Sequence, residues 1–174
     1  MIIVRRSKSG YLSKVKSRKS YTVEEARAKL ERYCAYQERC HKEVVEKLRG
    51  MGMIPLAIDE IVGHLIQENY LNETRFAQAF ARGKFRIKKW GRQRIVRELK
   101  YREISAFNIK SALNEISEAD YLATLDHLAT KRWDELKGEG SLQKRKKKTH
   151  DYLRYRGWES GLIFEKLNQL SAQK

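Results

Sequence analysis

The amino-acid sequence predicts an all-α protein, organised as an elongated, curved array of three tandem three-helix repeats behind a basic N-terminal tail. Leu, Glu, Lys, Arg and Ala dominate the periodic stretches of the 174-residue chain, which has ten glycines and one proline. These residues favour helices. No run of useful length alternates apolar and polar residues as an amphipathic strand does. Three segments, spaced about fifty residues apart, also align with one another, as in helical repeat proteins.

The repeat aligns on Leu48, Leu99 and Leu153, within the segments EKLRGMGMIPLAIDEIVGHL, RELKYREISAFNIKSALNEI and DYLRYRGWESGLIFEKLNQL. Further apolar positions coincide in sets of three: Met53, Ile104 and Trp158; Ile58, Ile109 and Ile163; Val62, Leu113 and Leu167; Leu65, Ile116 and Leu170. Units of this kind bury their apolar faces by stacking in series. The second and third helices of each unit, joined by a tight turn, also resemble a helix-turn-helix pair.

Helix boundaries in the first unit follow from residues that cap or stop a helix. Thr22 and Glu25 form a capping-box pattern that opens the first helix. A second helix is predicted around Glu38–Arg49, and the glycines of residues 50–52 end it. Pro55 suits the first turn of the third helix, because its missing N–H has no helical partner there.

The later boundaries rest on the same kinds of residue, and they give six more helices. Asparagine and serine are good N-caps, and glycine interrupts a helix. The boundary residues are Asn72, Gly91, Ser105, Ser117, residues 138–141 and Gly157. Glu103 aligns with Gly52 and Gly157, and a glutamate there is expected to cost about 1 kcal/mol if the backbone is left-handed.

Positive charge is distributed unevenly along the chain. The formal net charge is +16, and the isoelectric point is near 9.9. The tail, residues 1–21, carries +7, and the predicted units 22–71, 72–116 and 117–174 carry −2, +8 and +3. We expect the serine-rich tail to be flexible until it is bound. The second unit is the most basic, which indicates a surface for a polyanion or an acidic protein.

The basic residues of the second unit concentrate in residues 82–102, where apolar residues are interleaved with them. On a helix, Ile95 and Leu99 share one side, whereas Arg94, Arg97 and Tyr101 lie on the other. One face can therefore enter a core while the other stays positive and exposed. The alternative is a solvated basic face with no partner. The candidate binding residues here are Arg82, Lys84, Arg86, Lys88, Lys89, Arg92, Arg94, Arg97 and Tyr101.

A second basic cluster opens the predicted eighth helix. Positive charge in the first turns of a helix opposes its dipole, and an anionic partner would offset that cost. The alternative is again a solvated surface. Tyr101 and Tyr155 are the aromatic residues most expected to be exposed, whereas most other aromatics near the basic residues are expected in the core. The candidate binding residues of this cluster are Lys144, Arg145, Lys146, Lys147, Lys148, Arg154 and Arg156.

No pattern of catalytic or metal-binding residues is present, so we expect no enzyme activity, cofactor or metal. The four histidines are dispersed, and the chain has no HExxH, CxxC, glycine-rich phosphate loop or GxSxG pattern. The two cysteines, Cys34 and Cys40, fit a reducing compartment. No apolar run approaches the roughly 20 residues that span a bilayer. These features predict a cytoplasmic protein without a membrane segment.

Three sequence blocks resemble the RecX regulatory proteins. Residues 70–77, YLNETRFA, are similar to the family's "gyLnD.rfA" block, and residues 91–99, GRQRIVREL, to its "G..ri..eL" block. Residues 153–158, LRYRGW, resemble its C-terminal "yL.rrGF". The blocks occur in the family's order. The chain departs from the pattern at Asn69 and Glu103, where the family prefers glycine, and at Glu73, where it prefers aspartate.

The resemblance implies three tandem three-helix units and a modulator of the bacterial RecA recombinase. Family members bind the RecA–DNA filament, lie in its groove and restrain strand exchange, ATPase and coprotease activity, without catalytic residues of their own. The binding role maps onto Arg82, Arg86, Arg92, Arg94 and Arg97. Expected partners are the RecA filament and single- or double-stranded DNA, with the chain a monomer. The alternatives are a stand-alone helix-turn-helix nucleic-acid-binding protein and an RNA-associated basic protein.

Overall fold

A computed structural model of the chain describes residues 20–172, which form nine α-helices and no strand. The predicted tail lies outside the described residues, apart from Ser20 and Tyr21. The helices are α1 (Val23–Tyr36), α2 (His41–Gly50), α3 (Pro55–Gln67), α4 (Glu73–Lys88), α5 (Arg92–Tyr101), α6 (Ala106–Leu113), α7 (Glu118–Glu135), α8 (Leu142–Tyr155) and α9 (Ser160–Ala172).

Four of the predicted helix starts are confirmed by capping hydrogen bonds. Thr22 Oγ1 accepts the Glu25 N–H at 3.2 Å, and the Glu25 carboxylate accepts the Thr22 N–H at 3.0 Å, which completes the capping box. The side chains of Asn72, Ser105 and Ser117 each accept a backbone N–H three residues further on. These bonds satisfy donors that the first helical turn leaves without a partner.

One local prediction needs correction, and one backbone conformation is unusual. Helix α2 begins at His41 rather than near Glu38, with Cys40 as an extended N-cap. The preceding loop stays extended because Glu38 binds Arg75 of α4 at 2.5 Å and the Cys40 side chain is fully buried in the core that α4–α9 build. Lys89, which ends α4, has a left-handed backbone with φ +54°, although lysine rarely adopts it.

The fifty-residue repeat is confirmed at the turn that follows the second helix of each unit. The three aligned leucines are fully buried. The N–H five residues after each leucine donates to that leucine's carbonyl, at 3.1 Å in the first two units and 3.3 Å in the third. The residue before that donor is left-handed in all three, with φ +83° at Gly52, +62° at Glu103 and +85° at Gly157. All three turns are therefore Schellman motifs.

Replacing Glu103 by glycine is expected to raise the free energy of unfolding by about 0.5 kcal/mol. A left-handed glutamate costs about 1 kcal/mol relative to glycine. The ion pair that would be lost, Glu103 Oε1 to Lys42 Nζ at 2.9 Å, lies at the surface and offsets only part of this cost. Urea denaturation followed by circular dichroism measures the change. Glu103→Gln is the control, because it loses the ion pair but keeps the left-handed backbone strain. If Glu103→Gly is less stable than Glu103→Gln, the explanation is contradicted.

The helices pack chiefly within three groups, which we call unit 1 (α1–α3), unit 2 (α4–α6) and unit 3 (α7–α9). Unit 1 has a hydrophobic core of its own, whereas units 2 and 3 share one. Within residues 20–172, every hydrogen bond and ion pair between units joins neighbouring units. The array is therefore serial, as predicted, and the residue boundaries proposed for its units stay predictions.

The cysteines are buried in the described structure and form no disulfide. Burial raises the pKa of the Cys34 thiol to about 11 and also raises the pKa of Cys40. Among the described residues, no three His, Cys, Asp or Glu side chains lie close enough together to hold a metal ion. None of the helices in that part of the chain is long and apolar enough to cross a membrane.

Candidate partner-binding surface

The N-terminal end of α5 is fixed to unit 3 through backbone hydrogen bonds. The Gly91 N–H donates to the Arg156 carbonyl at 2.9 Å, and the Gln93 N–H donates to the carbonyl of Gly157 at 3.1 Å. The Trp158 indole N–H donates to the carbonyl at position 89, at 3.3 Å. Such close approach of two turns needs glycine on both sides. The start of α5 is consequently held against the α8–α9 turn.

A buried tyrosine reinforces this junction. The Tyr121 hydroxyl accepts the Arg92 N–H at 2.9 Å and donates to Glu159 at 2.6 Å, and its ring lies 4.4 Å from that of Trp158. Burial, followed by the hydrogen bond to Glu159, raises the pKa of Tyr121. The Arg92 guanidinium lies 4.0 Å from the Tyr121 ring and pairs with Glu118 at 2.6 Å. Arg92, predicted to contact a partner, is thus already engaged internally.

The C-terminal end of α5 is fixed to unit 1. Lys42 Nζ donates to the Tyr101 carbonyl at 3.0 Å, lies 4.7 Å from the centre of the Tyr101 ring and pairs with Glu103. Arg102 approaches Glu43 at 3.8 Å. Helix α5 therefore touches both neighbouring units, and its solvent side crosses the middle of the array.

That solvent side carries what we call the α5 face: Arg94, Arg97, Tyr101 and, from unit 3, Tyr155. The Arg94 guanidinium lies 4.1 Å from the Trp90 ring and 4.9 Å from the Tyr155 ring, and it donates to the Tyr155 carbonyl at 3.1 Å. Tyr101 and Tyr155 occupy equivalent repeat positions, and each is 71% exposed, as predicted. Arg97 is exposed and has no partner among the described residues.

Several other predicted contact residues have partners inside the protein. The Arg145 guanidinium donates twice to the Trp133 carbonyl, at 2.9 and 2.6 Å, and so caps the last turn of α7. The unfavourable interaction of Arg145 with the dipole of α8 is therefore offset by these hydrogen bonds within the chain. The remaining engaged residues are Arg82, paired with Glu115 at 2.7 Å; Lys148, paired with Glu139; Lys84, over Phe80 and Trp90; and Arg156, over Tyr152.

Eight predicted cations have no side-chain partner within residues 20–172, and all of them are exposed or half-exposed. They are Arg86, Lys88, Lys89, Arg97, Lys144, Lys146, Lys147 and Arg154. They lie at the end of α4, on α5 and on α8, which places them in the two units that share a core. Of the predicted set, these are the cations that remain available to a partner.

An exposed apolar residue lies beside these cations. Ile87 is one of the apolar residues interleaved with the basic ones in residues 82–102, and it is 76% exposed. The buried side of α4 contains Phe76, Ala77, Ala81 and Phe85. Ile87 lies about 200° around the helix from Phe85, so helical geometry alone could have indicated its exposure.

Comparison with known proteins agrees with this architecture. Residues 72–113 match the second three-helix domain of RecX, and residues 118–167 match the third. The chain is 32% identical over 146 residues to the regulatory protein RecX of Lactobacillus gasseri, covering 78% of this chain and 51% of that protein. It is 30% identical over 134 residues to that of Chlorobium phaeobacteroides, covering 77% and 85%. The chain thus spans about half the length of the first relative and most of the second.

Solved structures share the fold. The crystal structure of RecX from Lactobacillus salivarius superposes with a TM-score of 0.74 at 22% identity, covering 86% of this chain and 97% of that one. A second regulatory protein RecX gives a TM-score of 0.71 at 19% identity, covering 84% and 73%. The matches to two RecX domains and to the two RecX proteins at 32% and 30% identity show that the chain belongs to the RecX family of regulatory proteins.

Proposed function

We propose that this chain binds RecA–DNA filaments and restrains recombinase, ATPase and coprotease activity, with the α5 face at the centre of the contact. The observation that carries the proposal is the construction of α5. Both neighbouring units hold this helix, and its solvent side presents the unpaired Arg97 one helical turn before Tyr101 and one turn after Arg94, which contacts Tyr155. A rigid positive surface across the middle of a serial array suits a long, negatively charged filament.

The chemistry of the α5 face also suits the nucleic acid within such a filament. Exposed tyrosine rings can stack on bases, and the adjacent cations can neutralise phosphates. Each tyrosine directly follows an exposed cation, Lys100 before Tyr101 and Arg154 before Tyr155. The same pair therefore recurs in two successive units, and one strand or one filament groove could contact both.

The alternative of a stand-alone helix-turn-helix protein has less support. Such proteins place the second helix of the pair in the major groove of DNA. The corresponding helices here are α3, α6 and α9, and their cations are few: α3 has no Lys or Arg, α6 has Lys110, and α9 has Lys166, which pairs with Asp126. The unpaired cations of the candidate surface lie instead at the end of α4 and on α5 and α8, the last two of which are the first helices of their pairs.

The test compares RecA filaments on single-stranded DNA with bare single-stranded and duplex DNA. The chain is expected to co-sediment with the filament more tightly than with either DNA, and to slow ATP hydrolysis by RecA at less than one copy per RecA subunit. Binding to bare DNA should weaken steeply with salt, because it depends on phosphate contacts. Unchanged ATP hydrolysis at equal concentrations would contradict the proposal. Sequence-selective binding to duplex alone would favour the helix-turn-helix alternative.

A further inference from the structure

An open groove runs along α4 on the side that faces unit 1, and none of the residues that line it belongs to the α5 face. Its volume is about 380 Å³, and the loop between α1 and α2 forms its opposite wall. The floor is apolar and consists of Phe76, Ala79, Phe80, Gly83 and Ile87. The exposed isoleucine described above lies at one end of it. An apolar side chain placed in this groove would therefore be removed from water on a preformed surface.

The aromatic floor is held in place from several sides. The Phe80 ring lies 5.8 Å from that of Phe76 and 6.4 Å from that of Trp90. Arg102 and Lys84 lie over the Phe80 ring at 4.9 and 5.1 Å from its centre. These contacts fix the ring before any partner arrives, so binding would need little reorganisation of the groove.

The two sides of the groove differ in charge. Unit 1 contributes Glu38 and Glu43 to the lining, and unit 2 contributes Lys84, Lys88 and Arg102. One oxygen of each carboxylate faces an arginine, whereas Oε2 of each is shielded from solvent and has no hydrogen-bond partner in the described structure. A buried acceptor without a donor is costly. Both side chains line the groove and are partly exposed, at 29% and 30%, so a basic group in the groove can approach these carboxylates.

We infer that this groove docks a segment of the RecA protein that presents an apolar side chain between a basic and an acidic residue. The apolar side chain covers Gly83 and Ile87, the basic group binds Glu38 and Glu43, and the acidic group faces Lys88. DNA has no cation to place against these carboxylates, which is why the occupant is protein. The identity of the partner rests on the proposed function, while the chemistry of the segment rests on the groove.

Gly83→Trp fills the groove and tests the inference. A Cβ at Gly83 would meet no atom within 4 Å, and glycine inside a helix is unfavourable, so the variant is expected to fold normally. Gly63→Trp is the matched control, because Gly63 is also half-buried, lies inside α3 and has the same open space. Gly83→Trp is expected to lose about tenfold or more in filament affinity, and to bind bare single-stranded DNA unchanged. Gly63→Trp should match the wild type in both assays.

The outcomes separate the two proposals. If the wild type binds the filament and Gly83→Trp binds it equally well, the groove assignment is overturned and the proposed function still stands. Absence of wild-type binding removes the proposed function and the assigned partner together. A loss of bare-DNA affinity equal to the loss of filament affinity would make the groove a DNA contact, which also overturns the inference.

A photo-crosslinking side chain at Ile87 identifies the occupant directly. Leu56 is the matched control position, because it is an aliphatic residue with the same 76% exposure and lies on α3. Crosslinking to RecA from position 87, and not from position 56, is the expected result. Crosslinking from position 87 to DNA, to a second copy of this chain or to residues 1–19 of the same chain would overturn the assignment.

Discussion

Gly157→Ala is expected to lower the free energy of unfolding by about 3 kcal/mol, whereas Gly52→Ala should lower it by about 1 kcal/mol. The two glycines occupy the same repeat position and have nearly the same backbone, with φ +85° and +83°. Both variants therefore carry the same cost of a left-handed alanine. Only the surroundings differ, so the comparison isolates the junction between units 2 and 3.

The larger cost comes from contact with the backbone of α5. A Cβ at Gly157 would lie 2.3 Å from the Arg94 Cβ and 2.4 Å from the Arg94 nitrogen, whereas a Cβ at Gly52 would meet nothing within 4 Å. The clash involves main-chain atoms, which no change of rotamer can move, so the turn must separate from the helix. The separation would break the hydrogen bond from Gly91 to Arg156 and expose apolar surface around Trp158.

Urea denaturation followed by circular dichroism measures both losses. Filament co-sedimentation gives a second readout, because Tyr155 belongs to the α5 face and moves with this turn. Gly157→Ala should therefore bind more weakly, while Gly52→Ala binds as the wild type. Equal destabilisation by the two alanines would show that α5 and the α8–α9 turn are not tightly packed in solution.

The predictions of the fold that were confirmed rest on local sequence patterns. A capping box needs two residues three apart, so Thr22 and Glu25 were sufficient to place the start of α1. The aligned turns were recognisable because the Schellman motif combines a left-handed residue with apolar positions at fixed offsets. This logic held even at Glu103, where the residue type disagrees with the backbone but the flanking leucine and isoleucine keep the pattern.

Which cations are free could not be predicted, because pairing depends on distances between units. Arg92 and Arg97 look alike in the sequence, five residues apart on one basic helix. The first is engaged by Glu118 and Tyr121 of unit 3, and the second is open to solvent. Arg145 is similar, since its partner is a main-chain carbonyl that no sequence pattern identifies. The basic stretch thus indicated a candidate surface, but the structure leaves fewer of its cations unpaired than the sequence suggests.

The groove along α4 lay beyond sequence analysis for the same reason. Its opposite wall is the loop before α2, about forty residues away in the chain, which the sequence assigned to a helix. That loop is extended because Cys40 is buried in the neighbouring core. Burial of this residue in another unit could not be inferred from its place in the sequence.

Reversing the charge of Arg97 and Arg154 together is expected to weaken filament binding by about 100-fold at moderate salt. Arg97 belongs to the α5 face, and Arg154 directly precedes Tyr155 of that face. Both arginines are exposed and lack internal partners among the described residues. Arg94 is not a suitable second position for this test, because it donates to the Tyr155 carbonyl and lies between two aromatic rings. Reversal of Arg94 would disturb the fold as well as the surface.

The matched control reverses Lys110 and Lys131, which are exposed, lack internal partners within residues 20–172 and change the net charge by the same amount. Helicity and urea stability should be the same for both double variants. If binding depends on net charge alone, the two will weaken binding equally; if it depends on the α5 face, Arg97→Glu with Arg154→Glu will be far weaker. The salt dependence adds an independent criterion, because loss of two phosphate contacts should reduce the logarithmic slope by about 2. A weaker filament affinity with an unchanged slope would instead assign Arg97 and Arg154 to acidic groups of the RecA protein.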